Sequence, residues 1–529
     1  MKKIIIFFIL ISEITLSQVI TSIKCGSMYY NTHLAIDSTG KIYFSEPLNN
    51  RIRKLDFNTC TITNVAGIGT AGYTGNGGMA TSAQLDDQWG ITFDKQNNLL
   101  IADYENHVIR KVNKSTGIIT TIAGTGFGAG TPMGGYSGDG GLATLAKLSL
   151  PNGVVVDKFG NIFLSEQNNG CIRKVNSSTG IITTIVGTGV PGFSGDGGSA
   201  ILAQIDPESL ALDSLGNIYI GEGNNNRIRK VNVSTGIINT IAGNGIYNYS
   251  GDGGQAVNAS IKGARGITVD KNGFVYFTDT WNHRIRKIDQ TSGIITTIAG
   301  TGGIGLSGDR GLAVNATLSY PEGIAIDSIG NIYISDRGNN IIRVIYNCSK
   351  HKMTLNFNII QDLTFTNTWN AYPNYPDIAD SARWYWGDGT SNGGFYPTHT
   401  YAASGIYTIC VTAYSMCGDS VSFCLKDTIN NIVKVKNNGN PSNPLLINEG
   451  KLISNLNIYP NPTTETLIIS DTENKLQNAE IEIINYINQT VFKAHFTNKI
   501  DVSKLTNGIY ILKITNKEYQ NYYSKFIKE

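Results

Sequence analysis

Three groups of side chains in this sequence have the types and spacing to do chemistry. The first is a carboxylate followed seven residues later by an arginine. Glu46, Asp103, Glu166, Glu222, Asp279 and Asp336 are each answered by Arg53, Arg110, Arg173, Arg229, Arg286 and Arg343. A reactive centre rarely needs six identical copies, so these read as ion pairs that fix a chain connection. The second group is Asp139, Asp196, Asp252 and Asp309, each inside a Ser-Gly-Asp-Gly or Ser-Gly-Asp-Arg loop. Carboxylate and carbonyl oxygens gathered in such loops suit calcium, the one metal this sequence makes possible; the plainer reading is again structural. The third group is His33, His107 and His283, too scattered to form a metal-binding cluster. No G-x-S-x-G, H-E-x-x-H or phosphate-loop motif occurs, and no catalytic residue is assigned.

Variation between otherwise similar segments carries more information than these constants. At one phase of the chain stand Thr32, Trp89, Asn152, Glu208, Arg265 and Glu322. At a second phase stand Pro47, Tyr104, Gln167, Gly223, Thr280-Trp281 and Arg337. A concave rim carrying Trp89, Tyr104, Arg265, Trp281 and Glu322, with Asn152, Glu208, Gln167 and Arg337 beside them, offers aromatic area and directional polar groups for a ligand. Drift at exposed loops would leave the same variety. Glu208 and Glu322 flank Arg265 in repeat order; they either neutralise it or, in a rival enzymatic reading, act as acid/base or metal carboxylates.

The elements that must position these residues follow from a repeat. Asp37, Asp94, Asp157, Asp213, Asp270 and Asp327 anchor it at intervals of 57, 63, 56, 57 and 57 residues. Each unit holds four short apolar runs with Gly- and Asn-rich turns between them, and no segment keeps a helical period. Four antiparallel strands whose single sheet cannot bury both faces describe a propeller blade. The last unit, from Gly323, has only three strands, while Gln18–Ile23 copies the fourth strand of the other units. The N-terminal strand therefore closes the last blade, giving six blades and no exposed sheet edge.

Asn106-His107-Val108-Ile109-Arg110-Lys111 and Asn282-His283-Arg284-Ile285-Arg286-Lys287 resemble the signature of the NHL repeat over residues 18–347. Asn50, Gly170, Asn226 and Asn340 replace the histidine in the other copies. The resemblance implies a six-bladed propeller used mainly as a binding platform, with a few lyase or lactonase members that hold a metal in the central channel.

Net charge is +2, and five Arg-Lys pairs plus Arg343 spread the basic residues evenly, so no nucleic-acid partner is expected. Lys2-Lys3 followed by an apolar run predicts a signal peptide over residues 1–17, and no transmembrane segment is expected in the mature chain. Among seven cysteines, the C-x6-C-x6-C spacing predicts a Cys410–Cys424 disulfide across a hairpin; spacing does not pair Cys25, Cys60, Cys171, Cys348 or Cys417.

Trp384-Tyr385-Trp386-Gly387-Asp388-Gly389 and His399-Thr400-Tyr401 resemble a PKD domain, an immunoglobulin-like sandwich, over residues 349–435. Residues 436–451 read as a linker. Tyr459-Pro460-Asn461-Pro462, Ile500-Asp501-Val502 and Gly508-Ile509-Tyr510 resemble the C-terminal sorting domain of type IX secretion over residues 452–529. The expected protein is thus all-β: a propeller and two small sandwiches, exported through the type IX machinery to the outer-membrane surface or the medium. Its expected role is to bind an extracellular protein or glycan at the rim. The alternative is a channel-centred lyase or lactonase, and a purely structural surface part is a third possibility.

Overall fold

The fold was analysed in a computed structural model. It describes residues 18–56 and 60–348, then the stretches 356–361, 368–374, 379–395, 397–415, 417, 420–429, 457–459, 466–470, 479–485, 490–497, 499–505, 508–515 and 521–528. The expected signal peptide and linker lie outside the described residues. Strands dominate, with only three-residue 3₁₀ turns between them.

Blade 1 comprises β2 (Leu34–Ile36), β3 (Ile42–Glu46), β4 (Arg51–Asp56) and β5 (Thr61–Ala66), paired in sequence order. Four further sheets, beginning at Gln88, Pro151, Ser209 and Ala264, repeat the order. Blade 6 takes its inner three strands from Pro321–Ile326, Ile332–Asp336 and Ile341–Tyr346. Its fourth is β1 (Val19–Ile23), antiparallel to Ile341–Tyr346 with Val19 opposite Tyr346 and Ile23 opposite Ile342. The ring closes as expected. Each blade-to-blade seam has its own apolar cluster. The one between blades 6 and 1 joins Ile23 and Met28 to Phe44, Leu55, Tyr333 and Val344.

The His/Asn/Gly alternation at the end of each second-to-third strand connection now has a physical cause. Asn50, His107, Asn226, His283 and Asn340 all have φ between 49° and 55°, and Gly170 has 48°. Asn and Gly enter this left-handed region at the least strain. The side chain then accepts a hydrogen bond from the next blade: Asp87 N–H to Asn50, Leu150 N–H to His107, Tyr320 N–H to His283 and Tyr30 N–H to Asn340, at 2.7–3.1 Å. Both histidines accept through Nδ1, and burial lowers their pKa, which keeps that nitrogen unprotonated.

One expectation needs correcting. Closure does not hide every sheet edge; a separate loop does that for five blades. The residues before the five 3₁₀ turns that begin at Ala80, Ala143, Ala200, Ala256 and Ala313 add a short fifth rung to the outer strand, as Gly311–Leu312 does against β1 and Met79 does against Ile118. Blade 1 receives no such rung among the described residues, because only residues 24–33 separate β1 from β2. At this seam a disulfide joins Cys25 to Cys60. In the other blades the corresponding link is a backbone bond such as Ala80 N–H to Gly117 C=O or Ala143 N–H to Gly180 C=O.

In the C-terminal unit, a three-stranded and a four-stranded sheet enclose Trp384, Trp386 and Tyr401, all fully buried, and the Tyr401 hydroxyl donates to the Trp386 carbonyl. Both tryptophans fill this core. Cys410 and Cys424 face each other on paired strands and are joined, with 4.1 Å between their α-carbons. A second pair of sheets encloses Leu467, Ile469, Ile481, Ile483, Leu512 and Ile514.

Two outcomes follow. Replacing Cys25 and Cys60 together by alanine removes the covalent link at the closing seam, and chemical denaturation of the chain should show a loss of about 2–4 kcal/mol. His283→Asn should melt like wild type. His283→Val should lose about 2 kcal/mol, from left-handed strain plus one hydrogen bond.

Candidate functional site

The repeated charges turn inward and support the fold. Arg110, Arg173, Arg229, Arg286 and Arg343 are fully buried. Asp103, Glu166 and Asp279 meet their arginines at 3.4 Å, and Glu46 meets Arg53 at 3.2 Å. The same carboxylates accept the backbone N–H that leads into the innermost strand, from Tyr29, Asp86, Ser149 and Lys262, and Asp336 accepts that of Ser319 in the same way. Each ion pair therefore fixes the lead-in segment that carries the variable rim residue. The loop aspartates are used in the same way. Asp139, Asp196, Asp252 and Asp309 hold Arg173, Arg229, Arg286 and Arg343 at 2.6–2.8 Å. Their second contact is to a hydroxyl or amide of the outer strand, as from Thr240 to Asp196 and Thr184 to Asp139. One oxygen of each carboxylate is thus held by a guanidinium, which accounts for these loops by the structural reading. Among the described residues no three His, Cys, Asp or Glu side chains converge to hold a metal.

The innermost strands of all six blades line a central channel of about 330 Å³. One apolar residue per blade, Ile36, Phe93, Val156, Leu212, Val269 and Ile326, lines it, but more of its exposed wall is polar than apolar. His33 lines it too, at the position where four other blades carry glycine. Two of those glycines have no room for a side chain: a Cβ at Gly266 or Gly323 would stand about 2 Å from the next blade's carbonyl oxygen. His33 is the exception that the repeat alone did not single out, though a histidine in a glycine register was a visible signal.

The rim residues gather in two groups. On one side Trp89 lies 5.9 Å from Tyr104 and 5.8 Å from His33, ring centre to ring centre. On the other, Arg265 contacts Glu322 at 2.9 Å and Glu208 at 3.6 Å, while Arg337 contacts Glu322 at 3.0 Å. Trp281 covers Arg265 at 5.7 Å, and Gln167 donates to Glu208 at 3.4 Å. The groups sense each other: the charge of Arg265 acts on both Tyr104 and His33. Asn152 is nearly buried at the same phase. Glu322 sits fully buried between two guanidinium groups. Burial lowers His33 to about 4, with the charge of Arg265 adding to it, so its ring is neutral at physiological pH. Neither ring nitrogen of His33, nor the Asn152 Oδ1, nor the Ser209 hydroxyl has a hydrogen-bond partner among the described residues.

Comparison with known proteins agrees with this architecture. The secretion system C-terminal sorting domain matches residues 457–529, the PKD domain 360–422, the NHL repeat 318–345, and the teneurin NHL domain 122–193 and 245–307. Protein SUPPRESSOR OF QUENCHING 1, chloroplastic, of Arabidopsis thaliana is 26% identical over 288 residues, covering 53% of this chain and 27% of that protein. Human Teneurin-1 is 28% identical over 281 residues, covering 47% and 10%. Chicken NHL repeat-containing protein 2 is 25% identical over 303 residues, covering 51% and 40%. The chain thus spans well under half the length of each. An auxiliary nutrient binding protein from Bacteroides thetaiotaomicron superimposes with a TM-score of 0.46 at 18% identity, over 62% of this chain and 76% of that one. Virginiamycin B lyase from Staphylococcus aureus gives 0.37 at 14% identity, over 77% and 97%. The chain carries an NHL-repeat β-propeller, a PKD domain and a type IX sorting domain, and it is a secreted or surface protein. Among the described residues no helix is long and apolar enough to cross a membrane.

The buried carboxylates set a pH dependence. Burial raises Asp103, Glu166, Glu208 and Glu222 to about 7. A raised folded-state pKa means the native chain binds these protons more tightly than the unfolded one, so stability falls as pH rises from about 5 to about 7. Below about pH 4 the trend reverses, because hydrogen bonds and nearby cations lower Asp94, Asp139 and Asp213. Melting temperature should therefore peak near pH 5, and Glu208→Gln should flatten the decline towards pH 8. A melting temperature that climbs steadily to pH 8 would contradict this assignment.

Proposed function

We propose that the channel mouth of the propeller binds an extracellular glycan and that this recognition, rather than catalysis, is the work of the secreted protein. In this reading residues 18–347 form the recognition module, 349–435 a spacer, 436–451 a linker and 452–529 the export signal. The observation that carries the reading is the set of buried polar atoms on His33, Asn152 and Ser209 without hydrogen-bond partners among the described residues. Leaving such atoms unmade costs about 1–3 kcal/mol each, a cost a ligand offering hydroxyls at several points around a ring would relieve. The aromatic faces of Trp89, Tyr104 and Trp281 suit the apolar face of a sugar ring. Glu208 and Glu322 against Arg265 and Arg337 leave the rim charge-balanced, which favours a neutral polyhydroxylated ligand over a strongly charged one.

The enzymatic alternative has less to support it. An acid/base pair needs a carboxylate with a free lone pair directed at substrate, and both candidates are engaged by arginine. A glycan array with the full chain, followed by titration of the best ligand, tests the reading. Trp89→Ala and Trp281→Ala should each weaken binding about tenfold or more, equivalent to about 1.4 kcal/mol. Melting temperature should hardly move. Binding only to a protein partner, or equal loss of stability in both variants, would reject it.

A further inference from the structure

The outer strands of blades 2 to 6 all receive the same clamp from the chain itself. In blade 2, Gly77 N–H donates to the Ile119 carbonyl and Ile119 N–H donates to Gly78. Gly140 and Gly141 do this for Ile182, Gly197 and Gly198 for Ile238, and Gly253 and Gly254 for Ile295. In blade 6, Arg310 N–H donates to Ile20. Four of these segments also insert an aspartate against the third-strand arginine. Under the clamp, Ile119, Ile182, Ile238, Ile295 and Ile20 are all fully buried.

Blade 1 has every receiving element and no clamp among the described residues. Ile62 occupies the register of Ile119, since Ile62 pairs with Leu55 as Ile119 pairs with Val112. It is only partly buried, and no backbone partner among the described residues meets its outward N–H or C=O. Arg53 occupies the register of Arg110. Its side chain is 20% exposed where the counterparts are fully buried, and among the described residues its ion-pair contact is with Glu46. Asn64, opposite Arg53, is exposed where Thr121, Thr184, Thr240 and Thr297 are half-buried under the clamp. The Cys25–Cys60 disulfide holds the end of this slot, and Gly26 beside it packs on the Ile62 side chain, leaving the backbone edge of β5 as the open element.

We infer that the outer edge of β5 is a docking slot for an extended Gly-Asp-Gly-like segment of an extracellular partner protein, its carboxylate on Arg53 and its backbone on Ile62. The chemistry of the occupant is read from four clamps within this chain that carry the same aspartate, and from the positive charge of Arg53. Strand addition supplies main-chain hydrogen bonds, and the buried guanidinium selects for an acid at one position. Such an edge left open would also invite unspecific pairing, which a defined occupant prevents.

The probe is a labelled peptide copying Tyr249–Ile261, titrated into the full chain by fluorescence polarisation. Saturable one-to-one binding is expected. Changing its aspartate to asparagine should weaken it about tenfold or more, as loss of a charge-assisted hydrogen bond does. In the protein, Ile62→Pro removes the outward N–H together with side-chain packing at the blade 6–1 seam, and it should abolish binding while the chain stays folded with a moderately lowered melting temperature. Arg53→Gln gives an independent variant with β5 intact and should lose the preference for aspartate. No saturable binding to wild type, or equal binding to both variants, overturns the inference. Self-association that Ile62→Pro abolishes, in place of peptide binding, would assign the edge to a second copy and overturn it equally.

Discussion

Closure of the ring is the constraint on which everything else depends. No blade has a core of its own; each buries its faces only against its neighbours, as the cluster joining Ile172 and Val186 to Leu210 and Ile220 illustrates. A missing seam would expose two faces at once. The chain meets this by lending β1 to blade 6, so that the last sheet is made from both ends of the propeller sequence. Hydrogen bonds from Tyr30 to Asn340 and from Asn31 to Ile341 then fasten blade 1 to blade 6 as other blades are fastened to each other.

Symmetry explains what could be read from the sequence. A residue needed six times leaves six traces, so blade number, strand order, the closing strand and the structural character of the carboxylate–arginine rings were all legible. The left-handed position was half legible. His, Asn and Gly shared a phase in the alignment of repeats, but the reason, a positive φ plus an acceptor for the next blade, needed coordinates. Features that occur once were harder. Nothing in the spacing of Cys25 and Cys60 announces their disulfide, because their proximity comes from one blade's end meeting the next blade's beginning.

The candidate site was legible only as a set of departures. The alignment singled out Trp89, Arg265 and Glu322 and set Arg265 between Glu208 and Glu322 in repeat order, but the contacts among these three blades needed coordinates. His33 was passed over because it was weighed as a metal ligand and not compared with the glycines of its own register. The seam between blades 3 and 4 shows how departures can be linked. Gly170 has no side-chain acceptor, and the following unit is a residue shorter, so the bond that Asn50 makes to Asp87 has no equivalent there. Gln167 reaches Glu208 across that seam instead. A rim residue there is thus partly structural.

Repetition also bears on where recognition can arise. In a symmetric array, polar groups have been matched to one another: four loop aspartates to an Arg, and five strand-end carboxylates to a lead-in amide. Two kinds of break in the pattern leave further groups unmatched. One is substitution within a blade, as at His33 and Asn152, whose buried atoms lack partners among the described residues. The other is omission of a connection, at the short segment between β1 and β2, which leaves Arg53 and Ile62 without the clamp their counterparts have. Both breaks keep a rigid, pre-organised surround, so a ligand entering either would order few side chains and lose little entropy. The repeat builds the frame, and its interruptions leave the unsatisfied chemistry that a ligand can complete.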